Sequence, residues 1–336
     1  MKIIIDAMGG DNAPKAAVDG AIAALRDFSD IEIVLTGDEQ AVKPLLGGQG
    51  YDAGRLTVVH TAEVIEMNDA PVKAIKEKKD SSMVRAMDLL SKDPRAMMIS
   101  AGNTGALVAG STLLVKRIPG IKRPALASVL PAAKGEVLLI DGGANVDCRP
   151  AYLQQFGIMG SIFMSKVFGL EKPRVGLINN GGEEEKGSEL TKEAYQLLKA
   201  APINFAGNAE GRDLLSGGFD VVVCDGFTGN ILLKFLEGCA KTILGMLKGY
   251  IVESAQAKLG AVMMKGAFTK LKKKMDYTEY GAALLLGLRG GVMKAHGSSN
   301  GRAFYSSIRE ARKFISGDVV SVIKEEIGKL NQATAD

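Results

Sequence analysis

The sequence predicts an α/β protein of three layers, α/β/α, in which a mostly parallel sheet lies between two layers of helices. Short, continuously apolar runs recur along the chain, and strands of that kind are buried on both faces, as in parallel sheets. Each run ends in a polar, glycine-rich loop that leads into a helical pattern, which is the alternation typical of this class. Glycine accounts for 41 of the 336 residues, and it is concentrated in these loops.

Six strand and loop units support this prediction in chain order. The apolar runs are residues 3–5, 31–35, 97–99, 137–140, 175–178 and 221–223. The loops that follow them read DAMGGD at residues 6–11, TGD at 36–38, SAGNTG at 100–105, DGGAN at 141–145, NNGG at 179–182 and CDGFTGN at 224–230. No linker or repeat separates the units, so we expect residues 1–336 to form a single domain with two lobes.

Residues 231–276 depart from this pattern, because they are helical in character and contain no strand signal. After Glu253 the lysines of this segment have no acidic residue among them before Asp276, and they are interleaved with apolar residues. A cationic amphipathic helix of this kind suits a membrane surface. A solvated lysine face over an apolar stripe that pairs two chains explains the same spacing. We therefore expect a protruding helical segment that contacts either a membrane or a second copy of the chain.

The composition excludes several classes of protein. A net charge of +4, with 24% charged and 46% hydrophobic residues, is typical of a globular protein and does not indicate nucleic-acid binding. Cys148, Cys224 and Cys239 have neither disulfide nor zinc-site spacing, which favours the reduced cytoplasm. Residues 96–115 carry no charge over a length that could span a bilayer. Polar residues and glycines interrupt them, so we predict a strand, a turn and a helix.

The common nucleotide and triad motifs are missing from the sequence. It contains no GxxxxGK[ST], no GxGxxG at the first helix and no GxSxG, and its two histidines are His60 and His296. Cys224 fits a core position, whereas Cys148 is the better candidate for a thiol in a site. Loops at the carboxyl ends of parallel strands meet helix N-termini, so we expect the glycine-rich loops to lie together and bind an anion such as phosphate. Turn and capping roles explain the same polar residues.

A series of motifs resembles those of the bacterial phosphate acyltransferase (PlsX) family, in the family's order. They are DAMGGD at residues 6–11, KDSSM at 79–83, SAGNTG at 100–105, DGGAN at 141–145, NNGGEEEKG at 179–187, GNAEG at 207–211, DGFTGN at 225–230, EYG at 279–281 and HG at 296–297. The resemblance implies an isocitrate/isopropylmalate dehydrogenase-like fold and a homodimer, with no metal and no nicotinamide cofactor. The implied activity is reversible transfer of a fatty acyl group from acyl-acyl carrier protein to inorganic phosphate, which supplies acyl phosphate for phospholipid synthesis.

This implied chemistry directs attention to polar loop residues rather than to a triad. Hydrogen phosphate is itself a nucleophile and a thiolate can leave, so positioning and oxyanion stabilisation suffice without a covalent enzyme intermediate. The residues expected to bind phosphate or the carrier are Lys79, Ser81, Ser82, Gly102, Thr104, Gly105, Lys186, Asp225 and Thr228. The expected catalytic contacts are Asn103, Asn145, Asn180, Asn230 and His296. His296 could protonate the thiolate or simply stabilise a turn. Replacing Asn103 by alanine should lower the phosphate-dependent rate far more than the stability.

The resemblance also gives the basic segment a function. The family's product is a lipophilic acyl phosphate that passes to a membrane-bound glycerol-3-phosphate acyltransferase. Peripheral attachment of the protein to the inner face of the cell membrane would therefore shorten the transfer. Such a surface would also attract the acidic carrier protein. The expected contacts with membrane or carrier are Leu259, Val262, Met263, Phe268, Lys270, Lys272, Lys273 and Lys274.

Two other functions stay open on the sequence. A metal-dependent decarboxylating dehydrogenase of the same fold would use aspartates such as Asp225 for a divalent ion. A non-catalytic module would bind the carrier protein or an acyl ligand without turnover. Cofactor binding and metal dependence would identify the first, and binding without turnover the second.

Overall fold

The computed structural model describes residues 1–47, 50–275 and 281–333, and within these ranges it forms one sheet of eleven strands. Each of the six predicted apolar runs coincides with a strand. The strands are β1 (Lys2–Asp6), β2 (Glu32–Gly37), β3 (Leu56–His60), β4 (Met97–Ser100), β5 (Ala125–Pro131), β6 (Glu136–Ile140), β7 (Arg174–Ile178), β8 (Asn204–Ala209), β9 (Val221–Val223), β10 (Ala283–Leu286) and β11 (Gly291–Lys294).

Helices follow most strands, as the alternation predicts. They are α1 (Lys15–Asp27), α2 (Glu39–Leu46), α3 (Pro71–Glu77), α4 (Ser82–Lys92), α5 (Thr104–Gly110), α6 (Pro150–Phe168), α7 (Glu189–Lys199), α8 (Gly226–Glu253), α9 (Ala255–Met263), α10 (Lys265–Met275), α11 (Gly301–Ser316) and α12 (Val319–Ala333). A π-helical turn, Ser111–Val115, extends α5, so residues 96–115 form the predicted strand, turn and helix. Among the helices of the described ranges, none combines the length and the apolar character needed to cross a bilayer.

The sheet consists of two parallel blocks that run in opposite directions. Its strand order is β3-β2-β1-β4-β11-β10-β5-β6-β9-β7-β8. The first five strands are mutually parallel, and so are the last four. Between the blocks, β10 pairs antiparallel with both β11 and β5, and β5 pairs antiparallel with β6. Three successive reversals place the carboxyl ends of the two blocks at opposite edges of the sheet.

The two faces of the sheet are covered differently. One face packs against α1, α6, α11 and α12 in a single hydrophobic core. The other face carries two separate clusters, one formed with α3 to α5 over the first block and one formed with the start of α8 over the second. Between these clusters, in the described part of the chain, a strip of the face over β11, β10 and β5 bears partly exposed side chains, including Ser128, Ala283 and Lys294. We call this strip the central groove.

Candidate active site

A row of polar side chains crosses the face that bears the central groove. Strand register places Thr36 beside Asp6, Ser100 beside Lys294, and Lys294 beside Ala283. The Ser100 hydroxyl donates to the Asp6 carboxylate over 2.7 Å, which joins the first two pairs. Leu284 pairs with Ala127, so the preceding residue of β10 lies beside Ser128. The polar row, defined as Thr36, Asp6, Ser100, Lys294 and Ser128, is buried at its first three members and reaches the groove at the last two.

Asp6 organises the buried end of the polar row. Burial raises the pKa of its carboxyl group, and hydrogen bonds from Ser82, Ser100 and the Met8 amide oppose that shift. The loop after β1 passes close by, because a Cβ on Gly9 would lie 2.7 Å from both the Asp6 carboxylate and the Gly102 nitrogen. A glycine is therefore required where this loop meets the loop after β4.

Lys294, like Ser128, is a member of the row that the sequence analysis missed. Its Nζ donates to the carbonyl oxygen of Ala101 over 3.4 Å and also to that of Ala295. Burial lowers the pKa of Lys294 to about 8; Lys234 adds to this shift, whereas Asp6 and Asp11 oppose it. A lysine that directly follows an apolar run, two residues before His296, was the available sequence signal.

Asn103 begins α5, and its side chain is occupied by the backbone. It is 6% exposed. Its Oδ1 accepts from the Ala106 amide over 3.0 Å, which caps the helix. Its Nδ2 donates to the carbonyl oxygens of Met67 over 3.0 Å and Asp69 over 3.1 Å, and to that of Glu66 over 3.3 Å. The side chain thus ties the 66–69 loop to the helix, which is a positioning role.

The other residues predicted near this edge divide by exposure. Ser81 is buried and caps α4, since its hydroxyl accepts from the Val84 amide over 3.4 Å and donates to the Lys78 carbonyl over 2.7 Å. Ser82 is buried as well, and its carbonyl accepts from the Thr36 hydroxyl over 2.9 Å. The remaining residues are buried Gly102, half-buried Thr104, exposed Gly105 and exposed Lys79.

His296 lies in the turn after β11, two residues from Lys294. Its ring is exposed, and Nδ1 lies 2.9 Å from the Ser298 hydroxyl and accepts from the Ser298 amide over 3.3 Å. These contacts agree with a turn-stabilising role, and they place the ring at the same edge as the polar row.

At the opposite edge, Asp141 shapes the loop of residues 141–145. Its carboxylate accepts from the backbone amides of Leu126, Gly143, Ala144 and Asn145. Burial raises the pKa of the Asp141 carboxyl group, and these hydrogen bonds counter the shift. The Asn145 Nδ2 donates to Asp141 over 2.8 Å and to the Pro124 carbonyl over 2.7 Å. The Asn145 side chain therefore ties the loop to itself and to the residue before β5.

The start of α8 packs on this loop. Asp225 caps the helix, accepting from both the amide and the hydroxyl of Thr228 over 2.8 Å. A Cβ on Gly229 would lie 1.9 Å from the Asp141 carbonyl oxygen, so this helix turn requires glycine. Asn230 is exposed and its side chain borders Gly143.

Asn180 and Lys186 lie in the loop that follows β7. Both residues are exposed. The Asn179 side chain donates to the Lys186 carbonyl over 3.0 Å, which closes the loop. The structure therefore leaves both side chains accessible at the same edge as residues 141–145.

The predicted site residues do not share one edge of the sheet, which corrects the expectation that the glycine-rich loops lie together. Asn103 and His296 belong to the first block, whereas Asn145 and Asn230 belong to the second, because the central strands reverse the direction between them. The loop that carries Asn145 reaches the central groove. A Cβ on Gly142 would lie 3.3 Å from the hydroxyl of Ser128, which belongs to the polar row.

Two cysteines are poor nucleophiles at neutral pH. Burial raises the pKa of the Cys148 thiol to about 12, with Asp141 and Asp225 adding to the shift. Burial also raises the pKa of Cys224 well above its usual value. Since the thiolate is the reactive form, neither residue suits covalent catalysis. No group of three or more His, Cys, Asp or Glu side chains that could hold a metal ion occurs in the described ranges.

The fold and site define an α/β protein in which polar loops and a largely buried lysine surround a groove over the central strands. The family model described as "Fatty acid synthesis protein" matches residues 1–322. The chain is 50% identical over 327 residues to the phosphate acyltransferase of Caldanaerobacter subterraneus subsp. tengcongensis, which covers 97% of each protein. The chain belongs to the phosphate acyltransferase family.

Solved structures confirm the predicted dehydrogenase-like fold. A phosphotransacetylase from Streptococcus pyogenes is 18% identical, with a TM-score of 0.59 over 94% of each chain. The structure of a 4-hydroxythreonine-4-phosphate dehydrogenase homologue from Salmonella typhimurium is 15% identical, with a TM-score of 0.53 over 93% of this chain and 98% of the other. At these identities the likeness concerns the fold alone.

Proposed function

We propose that the chain transfers a fatty acyl group from acyl-acyl carrier protein to inorganic phosphate and so supplies acyl phosphate for phospholipid synthesis. The observation that carries this proposal is the 50% identity to a phosphate acyltransferase over 97% of both chains. The groove adds a physical argument, because a largely buried ammonium group and glycine-rich loops border it, and such surroundings favour a small anion.

The proposed route is direct attack of phosphate on the thioester, with no acyl-enzyme intermediate. An oxygen of hydrogen phosphate attacks the thioester carbonyl carbon, the C–S bond breaks, and the proton of hydrogen phosphate ends on the departing sulfur. The products are an acyl phosphate and the free thiol of the carrier protein. The raised pKa values of Cys148 and Cys224 support this route. The protein's contribution is to hold phosphate against the carbonyl group and to stabilise the oxyanion.

Within this proposal, exposed and buried site residues have different roles. Asn103 and Asn145 act through the backbone, since their side-chain donors hold loops in place. Asn180, Asn230 and His296 are exposed and stay predicted contacts for the thioester or the leaving group. Lys79 and Lys186 stay predicted contacts for phosphate or the carrier.

We further propose that α8 to α10 form the contact surface of the protein. On α9, the side chains of Leu259, Val262 and Met263 are 66%, 70% and 83% exposed. Their spacing of three and four residues puts them on one face, and we assign this face to peripheral contact with the inner surface of the cytoplasmic membrane. Lys270 and Lys274 are exposed and Phe268 is half-buried, while the side chains of Lys272 and Lys273 lie outside the described residues.

The longer helix α8 also exposes apolar residues, and we propose it as the homodimer contact. The exposed residues are Phe227, Ile231, Phe235, Ile243, Met246 and Tyr250. Exposed apolar residues repeated along one helix favour burial against another protein surface. The same proposal includes three further points. The chain forms a single domain with two lobes, its protein partner is the acidic carrier protein, and its product is handed over to a membrane glycerol-3-phosphate acyltransferase.

Release of free thiol tests the activity. Purified protein is mixed with a long-chain acyl-acyl carrier protein, with and without inorganic phosphate, and with no added metal. We expect thiol release only with phosphate, in equal amount to acyl phosphate trapped as its hydroxamate. Carrier binding without thiol release would support the non-catalytic module instead. Turnover that depends on metal and nicotinamide would support the dehydrogenase.

A further inference from the structure

We propose that Lys294 is the cation that binds the phosphate substrate at the central groove. This assignment rests on the proposed acyl transfer to phosphate and deepens it by naming the residue that holds the nucleophile. None of the glycine-rich motifs contains Lys294, and it stands apart from Lys79 and Lys186, the two lysines that the sequence singled out.

The strand register brings Lys294 to the groove. It ends β11 and lies between Ser100 on β4 and Ala283 on β10. On one side the row is closed, because Ser100 is fully buried and bonded to Asp6. On the other side Ala283 is small and only partly buried, so the row is open towards Ser128, two strands or roughly 10 Å away.

The Lys294 ammonium group is oriented by two hydrogen bonds and keeps one N–H donor for a ligand. A lysine ammonium has three N–H donors. Two of them go to the carbonyl oxygens of Ala101 and Ala295, and Nζ has no further hydrogen-bond acceptor within the described ranges. Ala101 belongs to the loop that continues into Gly102 and Asn103, so Nζ lies next to the glycine-rich turn. A lysine in this setting is oriented by the backbone before substrate arrives.

Charges of both signs act on Lys294. Asp6 and Asp11 act on it from the first block, and Lys234 acts on it from α8 on the other side of the groove. Lys234 is also paired with Glu237 over 2.8 Å. Lys234 offers a second positive charge to an anion bound beside Lys294, whereas ionised Asp6 or Asp11 would oppose such binding. Lys79 and Lys186 are exposed at loop surfaces, where a charge is screened more strongly.

A phosphate titration of purified full-length variants tests the assignment. Lys294→Gln should raise the KM for phosphate by about tenfold or more, the effect of removing one charge-assisted hydrogen bond, while the KM for acyl-acyl carrier protein stays within about twofold. Lys294→Arg should recover most of the phosphate affinity. Lys324→Gln, which removes an exposed lysine on α12, should match the wild type.

A pH series separates binding from a structural role. After subtraction of release without phosphate, kcat/KM for phosphate should fall above about pH 8 in the wild type relative to Lys294→Arg, because arginine stays charged. If phosphate KM is unchanged in Lys294→Gln while the wild type turns over, the assignment is wrong. If the wild type shows no phosphate-dependent thiol release, the proposed function fails. Phosphate binding by Lys294 is then tested by thermal melting with inorganic phosphate. An equal rise in Tm for the wild type and Lys294→Gln would overturn the assignment. If Lys294→Gln does not fold, the pH dependence of kcat/KM for phosphate is compared between the wild type and Lys294→Arg. Parallel pH dependences would overturn the assignment.

Discussion

At the scale of single residues, short polar side chains in this protein mostly serve the backbone. Asn103, Asp225 and Ser81 each accept a hydrogen bond from an amide in the first turn of a helix. The Asp141 carboxylate accepts hydrogen bonds from four nearby backbone amides. Helix starts and tight loops leave such amides without partners, so nearby carboxylates and hydroxyls are used to satisfy them. We therefore expect these residues to affect a reaction through the shape of their loops.

The contacts of Asn103 alter the expectation for its alanine variant. Asn103→Ala removes a helix cap and the ties to the 66–69 loop, so we expect a loss of about 2 to 3 kcal/mol in the free energy of unfolding together with a lower phosphate-dependent rate. Asn300→Ala is the matched control, because Asn300 caps α11 through one bond to the Ala303 amide, and about 1 kcal/mol is expected. Urea unfolding measures both. Equal losses would show that the loop ties add nothing.

Lys294 should leave a signature in the pH dependence of stability. Its pKa in the folded protein is lowered from 10.5 to about 8, so the unfolded chain binds more protons between these values and the free energy of unfolding rises with pH there. The rise should reach up to about 3 kcal/mol and be absent in Lys294→Met. Urea unfolding of both proteins near pH 7.5 and near pH 10 measures it. Parallel pH dependences would contradict the assigned burial of the charge.

At the scale of elements, the site depends on how α8 packs against the 141–145 loop. Gly226 and Gly229 lie where a side chain would collide with Asn145 and Asp141, with built Cβ distances of 2.6 Å and 1.9 Å to their carbonyl oxygens. The helix can therefore approach the loop backbone directly. This contact places Asn230 beside Gly143, and it fixes α8 as one wall of the groove.

Two glycines of α8 give a matched test of this packing. Gly229→Ala should lower the free energy of unfolding by about 2 kcal/mol or more, because the methyl group overlaps the Asp141 carbonyl. Gly238 has no atom within 4 Å of a built Cβ, so Gly238→Ala should be neutral or stabilising by up to about 1 kcal/mol. Chemical denaturation of the two variants gives the comparison. A similar, small change in the free energy of unfolding for both variants would mean that the 141–145 loop shifts to accommodate the methyl group at little cost.

At the scale of the whole molecule, the reversal of strand direction creates the groove. Helices over the first block and helices over the second block pack into separate clusters on one face. The strands between them, β10 and β5, carry partly exposed side chains such as Ala283 and Ser128. Residues from both halves of the chain thus border the central groove. The helices α8 to α10 extend this half of the molecule and carry the proposed contact surface.

The exposed face of α9 should determine vesicle binding. Val262→Glu combined with Met263→Glu removes apolar area and adds two negative charges, so binding to vesicles that contain phosphatidylglycerol should weaken by about tenfold or more. Ser321→Glu combined with Gln332→Glu adds the same charge on exposed positions of α12 and should leave binding nearly unchanged. Co-sedimentation measures both proteins. Equal binding by the two variants would remove α9 from the membrane contact.

The sequence by itself determined the kind of elements, their order and the family. Buried strands, glycine-rich loops and helix starts are encoded by neighbouring residues, so the apolar run before Asp6 and the DGGAN loop at residues 141–145 could be recognised from local pattern. The local signals of β5, β10 and β11 were weaker, so the sequence analysis missed these strands and with them the reversal of the sheet.

Only the tertiary structure decided which residues meet and which are already occupied. The position of Lys294 beside Ser100 depends on pairing between strands almost 200 residues apart, and the engagement of Asn103 depends on the 66–69 loop. The physical reason is that strand register, burial and the resulting pKa shifts arise from contacts between distant segments. Local periodicity fixes what each segment forms, and long-range packing fixes which of its side chains remain available for chemistry.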